Sequence, residues 1–95
     1  MIRAARVDAN QPEIVEGLRK IGCCVIITSQ LKNAFDLLVG YRGSLFVIEV
    51  KDGSKSPSQR TLSEGELKCK GCLESVGVTY HVANSLDEAI DIVGG

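Results

Sequence analysis

Between Gln11 and Ile21 the apolar residues Ile14, Val15, Leu18 and Ile21 recur at i, i+1, i+4 and i+7, a spacing that gathers side chains on one helical face. Asn10 is placed to cap that helix, Pro12 suits a first turn whose N–H groups lack intrahelical partners, and Gly22 ends it. The period then changes. Cys23 to Thr28 is a short β-branched run, bounded by Gly22 and the polar stretch Ser29 to Asn33, and predicts a first strand. Ala34 to Val39 predicts a second strand, and Gly40-Tyr41-Arg42-Gly43 has the composition of a hairpin turn. Ser44 to Lys51 carries the strongest strand signal, with Leu45, Phe46, Val47, Ile48 and Val50. The two strands joined by the turn are expected to run antiparallel at the centre of a sheet. Apolar residues at both parities of Ser44 to Lys51 predict that both its faces are covered, one of them by the first helix.

Asp52 to Leu62, with Gly53, Pro57, several serines, Lys55 and Arg60, reads as a loop carrying positive charge. Ser63 and Glu66 then have the spacing of a capping box, which starts a second helix running through Leu67, Gly71 and Leu73 toward Gly77 with a thin apolar stripe. Val78 to Ala83 predicts a fourth strand. Ser85 to Val93, with Leu86, Ala89, Ile90 and Val93 on one face, predicts a closing helix. The order is helix, three strands, helix, strand, helix, an α/β arrangement without internal repeats. With 95 residues there is material for one core, and residues 1–95 are expected to form a single domain.

Composition adds exclusions. An apolar fraction of 44% and a charged fraction of 24% match an ordinary soluble globular protein. No apolar run reaches the roughly eighteen residues a membrane span needs, and Arg3 and Arg6 are followed by no apolar signal segment, so a cytoplasmic protein without a membrane partner is expected. Cys23, Cys24, Cys69 and Cys72 are too few and too irregular for a disulfide scaffold, and reduced thiols are expected, with Cys23, Cys24 and one helical cysteine acting as small buried hydrophobes. Cys69 and Cys72 have the spacing of a zinc-binding pair, but no second regular pair accompanies them. A formal net charge of −1 argues against indiscriminate coating of nucleic acid, while leaving room for local basic groups beside acids that hold a metal.

Side chains alternate along a strand, so Glu49 and Lys51 project to the same side and Val50 to the other. Asp36, in the preceding strand of the hairpin, is likewise flanked by apolar residues. Two carboxylates brought together repel, and a hard dication such as Mg²⁺ is the simplest partner that favours both anions. A neighbouring lysine would orient water or stabilise charge on a phosphate oxygen. By spacing alone, a plain Glu49–Lys51 ion pair with Asp36 capping a turn explains the same residues.

The segments Phe35-Asp36-Leu37-Leu38-Val39-Gly40 and Phe46-Val47-Ile48-Glu49-Val50-Lys51-Asp52-Gly53 resemble the core signature of PD-(D/E)xK nucleases, particularly small phage proteins of the VRR-NUC and Holliday-junction-resolvase kinds. The opening Arg6 to Val15 and the closing Ser85 to Ala89 share the resemblance, which spans nearly the whole chain. It implies a restriction-endonuclease-like α-β-β-β-α-β core, with a mixed four-stranded sheet flanked by helices. The implied activity is endonucleolytic hydrolysis of DNA, branched or nicked forms included, with Mg²⁺ or Mn²⁺, in the host cytoplasm if the chain is phage-encoded. Asp36 and Glu49 are the implied metal ligands, the Val50 backbone carbonyl a third, Lys51 the catalytic lysine and Glu13 an additional acid near the metal. Glu66 stands where relatives often carry glutamine, and could instead be no more than the capping-box partner of Ser63. Resemblance to resolvases that act in pairs also implies a possible homodimer.

One departure is Phe35, which replaces the motif's proline and removes a backbone restraint before Asp36. Lys32, Arg42, Lys55 and Arg60, with Arg3 and Arg6, are candidate phosphate contacts. Aromatic residues at 4% leave little for base stacking, and the lone histidine, His81, reads as structural. Two other classes compete: a noncatalytic nucleic-acid-binding or assembly module, motivated by Phe35 and the net charge, and a redox or zinc module built on Cys69 and Cys72.

Overall fold

The computed structural model describes residues 8–95; Arg3 and Arg6 lie outside the described residues. The elements are α1 (Gln11–Lys20), β1 (Cys24–Ile27), β2 (Leu37–Tyr41), β3 (Ser44–Val50), a 3-10 turn at Pro57–Gln59, α2 (Glu64–Glu74), β4 (Tyr80–Ala83) and α3 (Leu86–Val93). The four strands form one sheet in the order β1-β2-β3-β4. β1 with β2 and β2 with β3 are antiparallel, while β3 with β4 is parallel, so the sheet is mixed as expected. The return that makes the last pair parallel is carried by α2, because parallel neighbours cannot be joined by a tight turn. Among the described residues no helix is long and apolar enough to cross a membrane.

Register gives the sheet two unequal faces. Val25, Leu37, Val39, Ile48, Val50 and Ala83 share one, and Ile14, Val15 and Leu18 of α1 with Ala89 and Val93 of α3 close over them as the core. The other face carries Ile26, Leu38, Val47, Glu49 and Tyr80. Val47, Glu49 and Tyr80 are buried there, whereas Ile26 is 53% exposed. Full cover of both faces is therefore realised over Val47–Val50 and not toward β1. The helix beside this second face, α2, buries none of its residues, in line with its thin apolar stripe.

Helix ends follow the sequence with one exception. Ser63 and Glu66 form the expected reciprocal box, and Ser85 caps α3 by accepting the Glu88 N–H. Asn10 does not cap α1: its backbone is helical rather than extended, and its side-chain amide donates instead to the carbonyls of Lys51 (3.0 Å) and Asn84 (3.2 Å). It thereby ties the start of α1 to the residues just past β3 and β4.

The hairpin turn is tighter than its composition implied. Gly40 and Tyr41 belong to β2, and the turn is the pair Arg42-Gly43 with φ of 49° and 83°. Positive φ at both positions is the geometry whose twist matches the flanking strands. The predicted start of β2 at Ala34 is also displaced. Asn33 takes a left-handed φ of 59°, and the carbonyls of Ala34, Phe35 and Asp36 accept from Tyr80, Thr28 Oγ1 and the Thr28 N–H, so this stretch enters the sheet only at Leu37. Cys23 is buried and Cys24 exposed, which corrects the expectation that both pack inside.

Asn10→Ala removes two hydrogen bonds that join α1 to the ends of two strands. A loss of about 1–2 kcal/mol is expected, lowering the melting temperature by on the order of 5–10 °C for a domain of this size. Thermal unfolding followed by circular dichroism measures it.

Candidate functional site

The end of β3 places Glu49 and Lys51 on the less covered face of the sheet, with fully buried Val50 facing the core between them. Asp36 comes to the same place from just before β2. Its N–H donates to the Ile48 carbonyl (3.2 Å), its carbonyl accepts the Thr28 N–H (2.7 Å), and its carboxylate Oδ2 accepts the Val50 N–H (2.8 Å). The backbone of β3 therefore aims the Asp36 carboxylate beside Glu49, which is only 3% exposed. Lys51 Nζ lies 3.4 Å from Glu49 Oε2 and 3.1 Å from Glu66 Oε1. Glu66 Oε1 also accepts the Ser63 N–H at 2.9 Å, so one carboxylate serves both the helix cap and the lysine.

Three carboxyl groups and one ammonium thus meet in a half-dry setting, and they do not ionise alike. Burial, reinforced by the hydrogen bond to Glu66 and the charges of Asp36 and Glu66, pushes Glu49 up to about 9 from its usual 4.5. Asp36 is also raised, by burial first, although hydrogen bonds from the Val50 N–H and Glu49 offset part of that. For Glu66 burial acts against ionisation, yet hydrogen bonds from Glu49, the Ser63 N–H and Lys51 outweigh it and hold the group low. Burial acts on Lys51 in the discharging direction and is outweighed by Glu66 and Glu49, so it stays protonated. One proton therefore resides on Glu49, between Asp36 and Glu66, where it relieves repulsion between the acids.

Next to these groups is a cavity of about 170 Å³, lined by Glu49 of β3, by Glu66 of α2, and by Asp36 with the loop before it, Lys32 included. The loop is held in place. Thr28 Oγ1 donates to the Phe35 carbonyl (2.8 Å), the Tyr80 hydroxyl donates to the Ala34 carbonyl (2.7 Å), and Asn33 lies so close to Gly65 of α2 that a Cβ there would overlap its side chain. Buried Gln11 at the start of α1 donates to Ser29 Oγ (2.8 Å), joining the first helix to the same loop. A larger groove of about 720 Å³ lies between α1 and β1, lined by Pro12, Val15, Arg19 and Ile27 among others, and holds none of the candidate site residues.

Asp36, Glu49, Lys51 and Glu66 are thus brought together, with Lys32 on the cavity wall. Lys55 and Arg60 stand on the connection between Lys51 and Glu66, Lys55 exposed and Arg60 half-buried. Two candidates are not brought to the acids. Glu13 is exposed in the first turn of α1, outside the cavity wall; the acid from this part of the chain whose charge acts on Asp36 is Asp8. Arg42 sits on the hairpin tip, stacked at 4.9 Å over Tyr41, which is itself four ladder positions from Leu37. That is about 14 Å of strand, so Arg42 is not beside the acids.

Tyr80 was not foreseen. Its hydroxyl lies 3.4 Å from Glu49 Oε1 as well as on Ala34, and burial followed by the charges of Glu49 and Glu66 raises its pKa so that it stays neutral. The residue noted in the sequence was its neighbour His81, which packs against Phe46 and is held low by burial. Which member of a strand faces an acid depends on register with β3, and no local pattern encodes register.

A solved structure described as a VRR_NUC domain has this fold, with a TM-score of 0.62 and 19% sequence identity over 90% of this chain and 96% of that one. The protein accordingly has a VRR-NUC-like α/β fold. No family model matches the sequence, and no curated protein matches it.

The cluster of acids raises the question of a divalent metal. Among the described residues no three His, Cys, Asp or Glu side chains form a ready-made cage, which leaves Cys69 and Cys72, both free thiols, without further ligands for zinc. The donors that do converge suit a hard cation of another type. Mg²⁺ is commonly held by one or two carboxylates and completes its shell with water and phosphate oxygens. Asp36 and Glu49 could supply two such oxygens beside the cavity, where burial and the neighbouring acids now favour a proton on Glu49.

Glu49 also fixes a pH dependence. Between its unfolded value near 4.5 and its folded value near 9 the native protein binds a proton that the unfolded chain has released, so stability declines as pH rises through this window. In a chelator, the urea midpoint is expected to be lower at pH 8.5 than at pH 5.5, and Glu49→Gln to flatten the slope.

Proposed function

We propose that this protein is a metal-dependent nuclease that hydrolyses phosphodiester bonds of DNA at Asp36, Glu49 and Lys51. The observation that carries the reading is the convergence of a buried carboxyl, Glu49, a half-buried one, Asp36, and a lysine ammonium beside a cavity, in a protein with a VRR-NUC-like fold. Asp36 and Glu49 would hold Mg²⁺ or Mn²⁺, with the Val50 carbonyl as the third oxygen the family resemblance implies. A cation there would supply Lewis acidity toward a phosphodiester and lower the pKa of bound water.

The chain's own groups supply the rest. Lys51, anchored by Glu66 and Glu49, keeps its ammonium beside the acids, where it can stabilise charge on a phosphate oxygen or orient an attacking water. Glu66 holds that ammonium in one position because it is itself fixed by the cap of α2. Lys32, which also lines the cavity, would meet a backbone phosphate, and Lys55 and Arg60, on the connection from Lys51 to Glu66, would add further basic groups. The missing motif proline has a local substitute: Thr28 fastens both Phe35 and Asp36, so the bend before the aspartate is held by hydrogen bonds. This supports a working site over a noncatalytic module.

With Mg²⁺, purified protein is expected to cut plasmid or branched DNA, and Glu49→Gln or Lys51→Met to slow cutting by roughly 100-fold or more. Nicking assays with and without chelator measure this, and equal rates for wild type and Glu49→Gln would remove the nuclease reading. Lys32→Ala should weaken DNA binding modestly and reduce its salt dependence.

A further inference from the structure

We propose that the Tyr80 hydroxyl is a spacer between the walls carrying Asp36 and Glu49, and that it tunes the site to a small octahedral dication over a larger one. This rests on reading Asp36 and Glu49 as metal ligands. Tyr80 is 3% exposed and pairs with Val47 across the β3–β4 ladder, which directs its ring beneath the acids on the less covered face. Its hydroxyl oxygen is 2.7 Å from the Ala34 carbonyl and 3.4 Å from Glu49 Oε1. Ala34 lies two residues before Asp36 in the loop that walls the cavity, while Glu49 comes from β3. One phenolic oxygen therefore spans both walls.

The other fastenings of this loop come from elsewhere: Thr28 holds Phe35 and Asp36 from the β1 side, the Val50 N–H holds the Asp36 carboxylate, Gln11 of α1 holds Ser29, and Gly65 of α2 packs on Asn33. Tyr80 alone among these ties the loop to β4 and touches Glu49 at the same time. Removing the oxygen leaves the ring packed and frees the two walls to drift apart. A cation with short, rigid bonds is sensitive to that drift, since Mg²⁺ demands oxygens at about 2.0–2.1 Å in a near-ideal octahedron, whereas Ca²⁺ accepts about 2.3–2.6 Å in flexible geometry. Groups that orient metal ligands without touching the metal typically change affinity by about 10–100-fold when lost.

Calorimetric titration of the full chain with MgCl₂ and with CaCl₂ tests the idea on wild type, Tyr80→Phe and Glu49→Gln, with the urea midpoint as a measure of folding. Tyr80→Phe is expected to weaken Mg²⁺ by roughly tenfold and Ca²⁺ by less than about threefold, a change of ratio that general loosening would not produce. An unchanged Mg²⁺-to-Ca²⁺ ratio, in a folded variant, overturns the spacer role and leaves the metal site standing. Wild type binding neither ion, or Glu49→Gln binding both as well as wild type, instead overturns the metal-site reading.

A spectroscopic arm needs no change at position 80. The chain has two tyrosines and no tryptophan, so Tyr41→Phe leaves Tyr80 as the only strong emitter. Its fluorescence is expected to change saturably at the Mg²⁺ concentration found by calorimetry. No change while Mg²⁺ binds would mean that Tyr80 does not sense the site.

Discussion

A single hydrogen bond, from the Val50 N–H to the Asp36 carboxylate, determines how the site is assembled. It comes where the β2–β3 ladder ends, so a side chain takes over an amide that strand pairing would otherwise have used. Aspartate is short enough to do this only when its own backbone runs alongside β3, which the Asp36 N–H bond to Ile48 ensures. The carboxylate is thereby set next to the side chain that precedes Val50, and two acids share a space that neither would occupy alone. Burial first, then the Glu66 hydrogen bond and the charge of Asp36 held there by this contact, keep the proton on Glu49.

Glu66 links this chemistry to the fold. Its carboxylate takes the Ser63 N–H and Lys51 Nζ on one oxygen, so the first turn of α2 and the position of the lysine are not independent. A capping residue is usually a matter of helix stability alone. Here the first turn of a helix with no buried residues also borders the site, and the Gly65–Asn33 contact brings that turn against the loop before Asp36.

Much of this was legible from local patterns. The apolar stripes of α1 and α3, the Ser63–Glu66 box, and the hairpin leading to Glu49 and Lys51 all depend on residues within a few positions of one another. The misreadings share the opposite property. Asn10 looked like a cap because its neighbours begin a helix, and its amide was claimed by carbonyls at Lys51 and Asn84, distant in sequence. Glu13 was assigned through resemblance, and the turn of α1 that puts Gln11 toward Ser29 leaves Glu13 in solvent. Arg42 was grouped with the acids because few residues separate them, though an extended hairpin carries them apart. Tyr80 could be found only from the parallel register of β3 with β4.

The hairpin tip has a practical meaning. Arg42-Gly43 is exposed at the end of the hairpin away from the carboxyl cluster, and among the described residues nothing lies within 4 Å of where a side chain at Gly43 would begin. Foreign sequence spliced in there, such as an epitope or a tethered fluorophore, would ride on the domain without reaching the acids, making that bend the natural handle for immobilising the molecule.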